Sequence, residues 1–234
     1  EMESILPVML DDLIADKVKV LSQDSTHLQL ATLQSRKRVL AEMLVRFKAV
    51  DRSFWDRYVT LGEREKRLAL LFVILKSYRL LFELQVNLVI PKYYSPDRVL
   101  TKNDVFVAIS EVASRDEFVD SWSEDTRNRA ASQYVTILRQ AGLIDEATGE
   151  LREPNVAGEE LAYYVRIGGI WFLQACLLPG YRVEQIKQIA AEGLSRFPTA
   201  PIQAALREYL PNCKDIRVQR MIQRALARRP IPVR

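Results

Sequence analysis

The chain has 234 residues, 48% of them apolar and 27% charged, with a formal net charge of +4 and an isoelectric point near 9.1. That composition can bury a real core in one or two domains and excludes general disorder. Two cysteines, Cys176 and Cys213, and the single histidine His27 exclude a disulfide framework and a four-ligand zinc site within one chain, and they suit a reducing cytoplasm.

Charge is unevenly spread. Residues 1–30 set Lys17 and Lys19 against Glu1, Glu3, Asp11, Asp12, Asp16 and Asp24, and this acidic start lacks the pattern of a secretory leader. Helical spacing is clear in Val39, Leu40, Met43, Leu44, Phe47 and Val50, with Ser35 as the expected cap. Arg36, Lys37 and Arg38 would then crowd the first turn, where positive charge opposes the helix dipole. They are candidate phosphate contacts, although a solvated helix start uses the same residues. Phe54, Trp55 and Tyr58 read as packing residues. From 62 to 90 the pattern predicts one long central helix, or two with a bend, carrying Leu68, Leu71, Leu75, Tyr78, Leu81 and Leu84. Its apolar run 68–75 falls far short of the roughly 18–20 residues that span a bilayer, which predicts a soluble protein with no membrane contact. Pro91, Pro96 and Asp97 interrupt the helical pattern and mark a boundary between an amino-terminal domain, 1–96, and a second domain, 97–178.

The second domain has the element order of a winged helix-turn-helix. Thr101 and Asp104 form a reciprocal capping pattern ahead of Val105, Phe106, Ile109 and Val112. Phe118 and Trp122 are the expected apolar contacts of a short second helix, and Ser123 caps a third that runs to Gly142. On that third helix Ala130, Ala131, Tyr134, Ile137, Leu138 and Ala141 form a core stripe. Asn128, Arg129, Ser132, Gln133, Thr136 and Arg139 form the opposite face, all able to donate hydrogen bonds and none acidic, which suits a major groove. Leu143 and Ile144, a turn at Thr148 and Gly149, and Leu151 predict a two-stranded wing with Arg152 at its exit. Asp145, Glu146 and Glu150 make its tip acidic, so the tip is not expected beside phosphates. Winged helices also dock proteins, so this reading stays open beside the nucleic-acid one.

Beyond Pro154, Leu161, Tyr164 and Val165 predict a helix that leads through Gly168 and Gly169 into the apolar run 170–178. Pro179 and Gly180 break it, and the remainder, 179–234, reads as short helices separated by Pro198, Pro201 and Pro211. After Asp215 the chain holds six arginines and no acid. Arg217, Arg220, Arg224 and Arg228 share one side of the last helix, with Val218, Met221, Ile222 and Ala225 facing a core. Like charges at this spacing repel by a few tenths of a kcal/mol per pair, so the stripe points to a polyanion, or else to a solvated basic tail.

No phosphate-binding loop, dinucleotide glycine pattern, nucleophile elbow or zinc-protease helix occurs, and the acids show no characteristic spacing, so neither catalysis nor a cofactor or metal is expected. The basic start Gln34 Ser35 Arg36 Lys37 Arg38, the pair Phe54 Trp55, the leucine-rich helix, and the runs Trp122 Ser123 Glu124 Asp125 Thr126 and Ile137 Leu138 Arg139 Gln140 Ala141 Gly142 Leu143 resemble the BrxA proteins of bacteriophage exclusion (BREX) systems. The similarity covers about 30–178, and the amino-terminal stretch and the arginine-rich end depart from it. What the resemblance implies is a small, mainly α protein with helix-turn-helix features that binds double-stranded DNA as an accessory of phage defence, with other BREX proteins as further partners. RNA binding of the antitermination type and protein docking within a defence complex are its alternatives.

Overall fold

Apolar residues three and four apart along most of the chain can be buried together, with the backbone satisfied, by packing helices on helices. The computed structural model describes residues 2–12, 16–23, 26–195 and 200–228, and these are mainly helical, with no extended strand among them. Glu1, Asp24, Pro198, Arg229 and Arg234 lie outside the described residues. In chain order come α1 (Met2–Leu10), α2 (Lys17–Gln23), α3 (Leu33–Lys48), α4 (Arg52–Tyr58), α5 (Glu63–Ser77) and α6 (Arg79–Leu84). A π turn, Gln85–Val89, joins α6 to α7 (Ile90–Tyr94). Next are α8 (Lys102–Ala113), α9 (Glu117–Asp120), α10 (Glu124–Gln140), α11 (Gly158–Arg166) and α12 (Trp171–Ala175). The carboxyl-terminal helices are α13 (Gly180–Ser195), α14 (Ala200–Tyr209) and α15 (Ile216–Leu226).

One apolar core runs without a break from Met2 to Ala190, across both of the expected boundaries. Its centre is aromatic. Phe72 of α5 lies 5.1 Å from the rings of Tyr164 and Phe172 and 5.4 Å from Trp171, so α5, α11 and α12 meet there. Phe54, Trp55 and Tyr58 are buried, and the Trp55 indole donates to the Phe47 carbonyl at 2.9 Å, joining α4 to the end of α3. A second, smaller core gathers Ala191, Leu206, Val218, Ile222 and Ala225 from α13, α14 and α15. Buried Gln203 donates to the carbonyls of Ala225 and Arg228, both at 2.9 Å, and so closes the carboxyl end of α15.

The expected 62–90 helix is bent. Tyr78 is extended (φ −124, ψ 106) and separates α5 from α6. Its hydroxyl accepts from Arg46 at 3.1 Å and donates to Glu42 at 2.8 Å, so it faces polar partners on α3 and not the core. Pro91 does not end the helix as its type suggested. Proline clashes with the carbonyl four residues back, and the widened π turn just before it resets the ladder so that Pro91 falls in the first turn of α7.

That π turn also carries Gln85, which is fully buried. Its amide donates to the Ala175 carbonyl at 2.6 Å, and its oxygen accepts from Tyr134 of α10 at 2.5 Å. Burial pushes the Tyr134 phenol well above its ordinary pKa, so it stays a protonated donor. Replacing Gln85 with Leu should orphan the Ala175 carbonyl, leave the Tyr134 hydroxyl only the Leu81 carbonyl at 3.4 Å, and lower the unfolding free energy by about 1–3 kcal/mol in urea denaturation. Tyr134→Phe should then cost less in the Gln85→Leu background than in the wild type; additive costs would refute the shared network.

Candidate nucleic-acid interface

The segment 101–151 is set by its caps. Thr101 and Asp104 form a complete capping box at the start of α8, Asp116 accepts from the amides of Phe118 and Val119 to start α9, and Ser123 accepts from Thr126 to start α10. α8 packs along α10 and α9 against α8. Val119, not Phe118, is the buried residue of α9; Phe118 is 72% exposed and meets Trp122 edge-on at 5.8 Å. A four-residue helix has one inward position, and Val119 takes it.

Gly142 (φ +78) ends α10 in the left-handed region, and Leu143 returns its amide to the Leu138 carbonyl at 2.9 Å. The chain then pairs only through single antiparallel bridges, Ile144 with Leu151 and Val99 with Glu150, so a third segment from before α8 joins the expected hairpin. Asp145 accepts from the amides of Thr148 and Ala147 at the turn and meets Arg152 at 2.9 Å. Those amides, with Arg152, hold its carboxyl below the usual carboxylate range.

On α10 the core stripe is as expected, with Ala131, Tyr134, Leu138 and Ala141 buried and Val135 added to it. The opposite face departs from expectation in two ways. Asp125, one turn before Arg129, projects from it and pairs with Arg129 at 2.7 Å, so the face is not free of acid. The hydroxyls of Ser132 and Thr136 donate back to the carbonyls of Asn128 and Ser132, at 3.1 and 2.9 Å, which leaves them acceptors toward a ligand. Gln133 and Arg139 are exposed, Asn128 is half-buried, and Arg139 has no ion pair among the described residues.

The cluster on α3 divides as well. Thr32, not Ser35, is the cap: its hydroxyl accepts the Ser35 amide at 3.1 Å, so the helix starts earlier and only Arg36 of the three falls in its first turn. Arg36 is half-buried and donates to the carbonyls of Ser22 and Leu30 at 2.9 and 2.7 Å, tying α2 and the following loop to α3. Lys37 and Arg38 are exposed. Arg38 lines a cleft of about 630 Å³ with Gln133 of α10, so one member of the α3 patch and one of the α10 face reach the same cavity. Arg46, Arg79, Phe118 and Trp122 also line it, as do the acids Glu42 and Asp116. Arg46 could have been found from its position two turns beyond Arg38; Arg79 could not, because it arrives through the bend at Tyr78. Arg217, Arg220, Arg224 and Arg228 are exposed on and just after α15, where Asp215 caps the helix through the amides of Arg217 and Val218. They line neither this cleft nor the face of α10.

The sequence model of the BrxA family matches residues 1–163, from the first residue through most of α11. The chain belongs to the BrxA family. That match takes in α3, α5 and α10 and includes the amino-terminal stretch expected to depart from the family; the α15 stripe lies outside it. The BREX protein BrxA of Bacillus cereus (strain H3081.97) is 27% identical over 129 residues, or 54% of this chain. The aligned region spans 64% of that BrxA relative's length. The crystal structure of an uncharacterized protein from Magnetospirillum magneticum has the same fold, with a TM-score of 0.59 at 19% identity over 76% of this chain and 93% of its own. In this BrxA family member, no helix among the described residues is long and apolar enough to cross a membrane, and no group of His, Cys, Asp and Glu among them could hold a metal.

Arg36 and Lys37 differ in kind, and stability should separate them. Arg36→Ala should cost about 1–3 kcal/mol in urea unfolding, because two half-buried carbonyls lose their donor, while Lys37→Ala should stay within about 0.5 kcal/mol. Equal midpoints would remove the internal role of Arg36.

Proposed function

We propose that this chain is a non-enzymatic, double-stranded-DNA-binding accessory protein of a BREX phage-resistance system, in which 101–151 acts as a winged helix-turn-helix and α10 enters the major groove. The observation that carries the reading is the outer face of α10. It presents Gln133 and Arg139 without carboxylate partners on a helix held rigid by α8 beneath it. Membership of the BrxA family and the name of the Bacillus cereus relative support the BREX assignment. Asp125 limits the face at its amino-terminal end, so contact is strongest over its second half, with Arg38 reaching phosphates beside Gln133. Arg217, Arg220 and Arg224 supply a separate phosphate contact that carries no sequence information.

Fluorescence anisotropy on a mixed-sequence duplex, repeated over a salt series, tests this. Arg129→Ala with Arg139→Ala should weaken binding, and unchanged affinity would remove α10 from the interface. Asp125→Asn should strengthen binding roughly two- to fivefold by lifting a carboxylate from the face, at a worth of about 0.3–1 kcal/mol; weaker binding would refute the orientation. Replacing Arg217, Arg220 and Arg224 together with alanine should reduce the slope of log affinity against log salt by about 3, at about 0.9 per phosphate. An identical slope would return that stripe to solvent.

A second reading, docking of another defence protein, is favoured by Phe118, which is 72% exposed and lines the same cleft as Arg38 and Gln133. It predicts that Phe118→Ala abolishes co-purification with that partner and leaves duplex affinity unchanged.

A further inference from the structure

Arg139 belongs to a second cavity that the reading of α10 does not use. This cavity is of about 240 Å³ and lies where the first turns of α5, the carboxyl end of α10 and the bridge-paired turn meet. Arg64 and Arg67 enter it from α5, Arg139 from α10 and Arg152 from the turn; Glu146 is the one acid on its wall. Arg152 already meets Asp145 at 2.9 Å. Arg64, Arg67 and Arg139 are exposed and have no ion pair among the described residues, in contrast to Arg52, Arg57, Arg79, Arg115, Arg127 and Arg129, each of which holds a carboxylate.

We propose that this cavity is a phosphate-binding site, with Arg64, Arg67 and Arg139 as its ligands. Two elements distant in sequence, α5 and α10, bring guanidinium groups to one concave site, and Arg64 and Arg67, three residues apart on one helix, repel each other until an anion lies between them. Guanidinium forks match phosphate oxygens two at a time, which a lysine cluster would not do. The space is sufficient: at about 30 Å³ per water it holds roughly eight, more than one phosphate group displaces. Peptide carboxylates fit less well, since the charge of a single carboxylate leaves most of the cluster unneutralised. The phosphate can come from the backbone of a duplex whose groove α10 occupies, in which case the site rests on the function proposed above and Arg139 joins the two contacts. It can also come from a free polyphosphate or nucleotide, which needs no duplex.

Two measurements on the full chain separate these sources. In the duplex salt series, Arg64→Ala with Arg67→Ala should lower affinity at least tenfold and reduce the salt slope by about 2, at about 0.9 per phosphate. Isothermal titration with inorganic pyrophosphate at low salt should show one site in the wild type that the double variant loses and Arg64→Lys with Arg67→Lys weakens. A change in either assay supports the site and names its source. If the wild type binds pyrophosphate but no duplex, the proposed function fails and the cavity stands. If the wild type binds duplex and the double variant matches it in both assays, the cavity proposal is overturned. A lowered melting temperature with unchanged binding would likewise overturn it, because the arginines would then serve only to neutralise the carboxyl end of α10.

Discussion

Burial of one amide side chain orders the centre of this molecule. Gln85 has both polar ends occupied, one by the phenol of α10 and one by a main-chain carbonyl at the end of α12, and it sits on the stretch that follows the bent central helix. Apolar contacts can slide by a fraction of an ångström with little penalty, but a buried amide with a single donor and a single acceptor opposite it cannot. The register of α10 against the central helix is therefore fixed, and with it the direction in which Gln133 and Arg139 face. Gln203 does the same for α14 and α15 in the smaller core. In both places a polar group inside an apolar layer determines which surface is turned outward.

Surface charge follows from the same geometry. Most arginines around the larger core are held by partners within the chain: Arg57 by Glu160, with its guanidinium 4.3 Å above the Tyr163 ring, Arg127 by α9, and Arg36 by main-chain carbonyls. Among the arginines with no ion pair between described residues, Arg64, Arg67 and Arg139 meet at one cavity beside α10, Arg38 lines the other, and Arg217, Arg220, Arg224 and Arg228 follow α15. Distribution, more than total charge, is what a polyanion would sense.

Much of this could be read from the residues. The capping box at Thr101, the cap at Ser123, the glycine at 142 and the aromatic core residues all behave as their local chemistry dictates, because caps and turns depend on a few adjacent atoms. Family membership was legible too, through runs such as 122–126 and 137–143. What escaped reading depends on partners distant in sequence. Nothing local distinguishes Arg36, which turns inward, from Lys37, which does not. Asp125 lies in the first turn of α10, where carboxylates suit the dipole, and only the side-chain geometry shows that it also reaches Arg129 on the outer face. Gln85 is a lone amide in a leucine-rich stretch, and its two partners, on α10 and at the end of α12, are not adjacent to it in sequence. Nothing near Arg64 and Arg67 in sequence marks them, because Arg139, on the same cavity wall, lies more than seventy residues further along the chain.

The turn that resets the ladder ahead of Pro91 contains, in effect, one residue more than an α-helix of the same length would hold. A helix with such a turn can lose one residue at that point while the segments on either side keep their facing, whereas the same change within α5 or α10 would rotate every following side chain by about a hundred degrees. Length differences between related chains should therefore collect at 85–89 or in the loops. A relative that lacks the extra residue would have to find another way to accommodate a proline at the equivalent of position 91, or do without it.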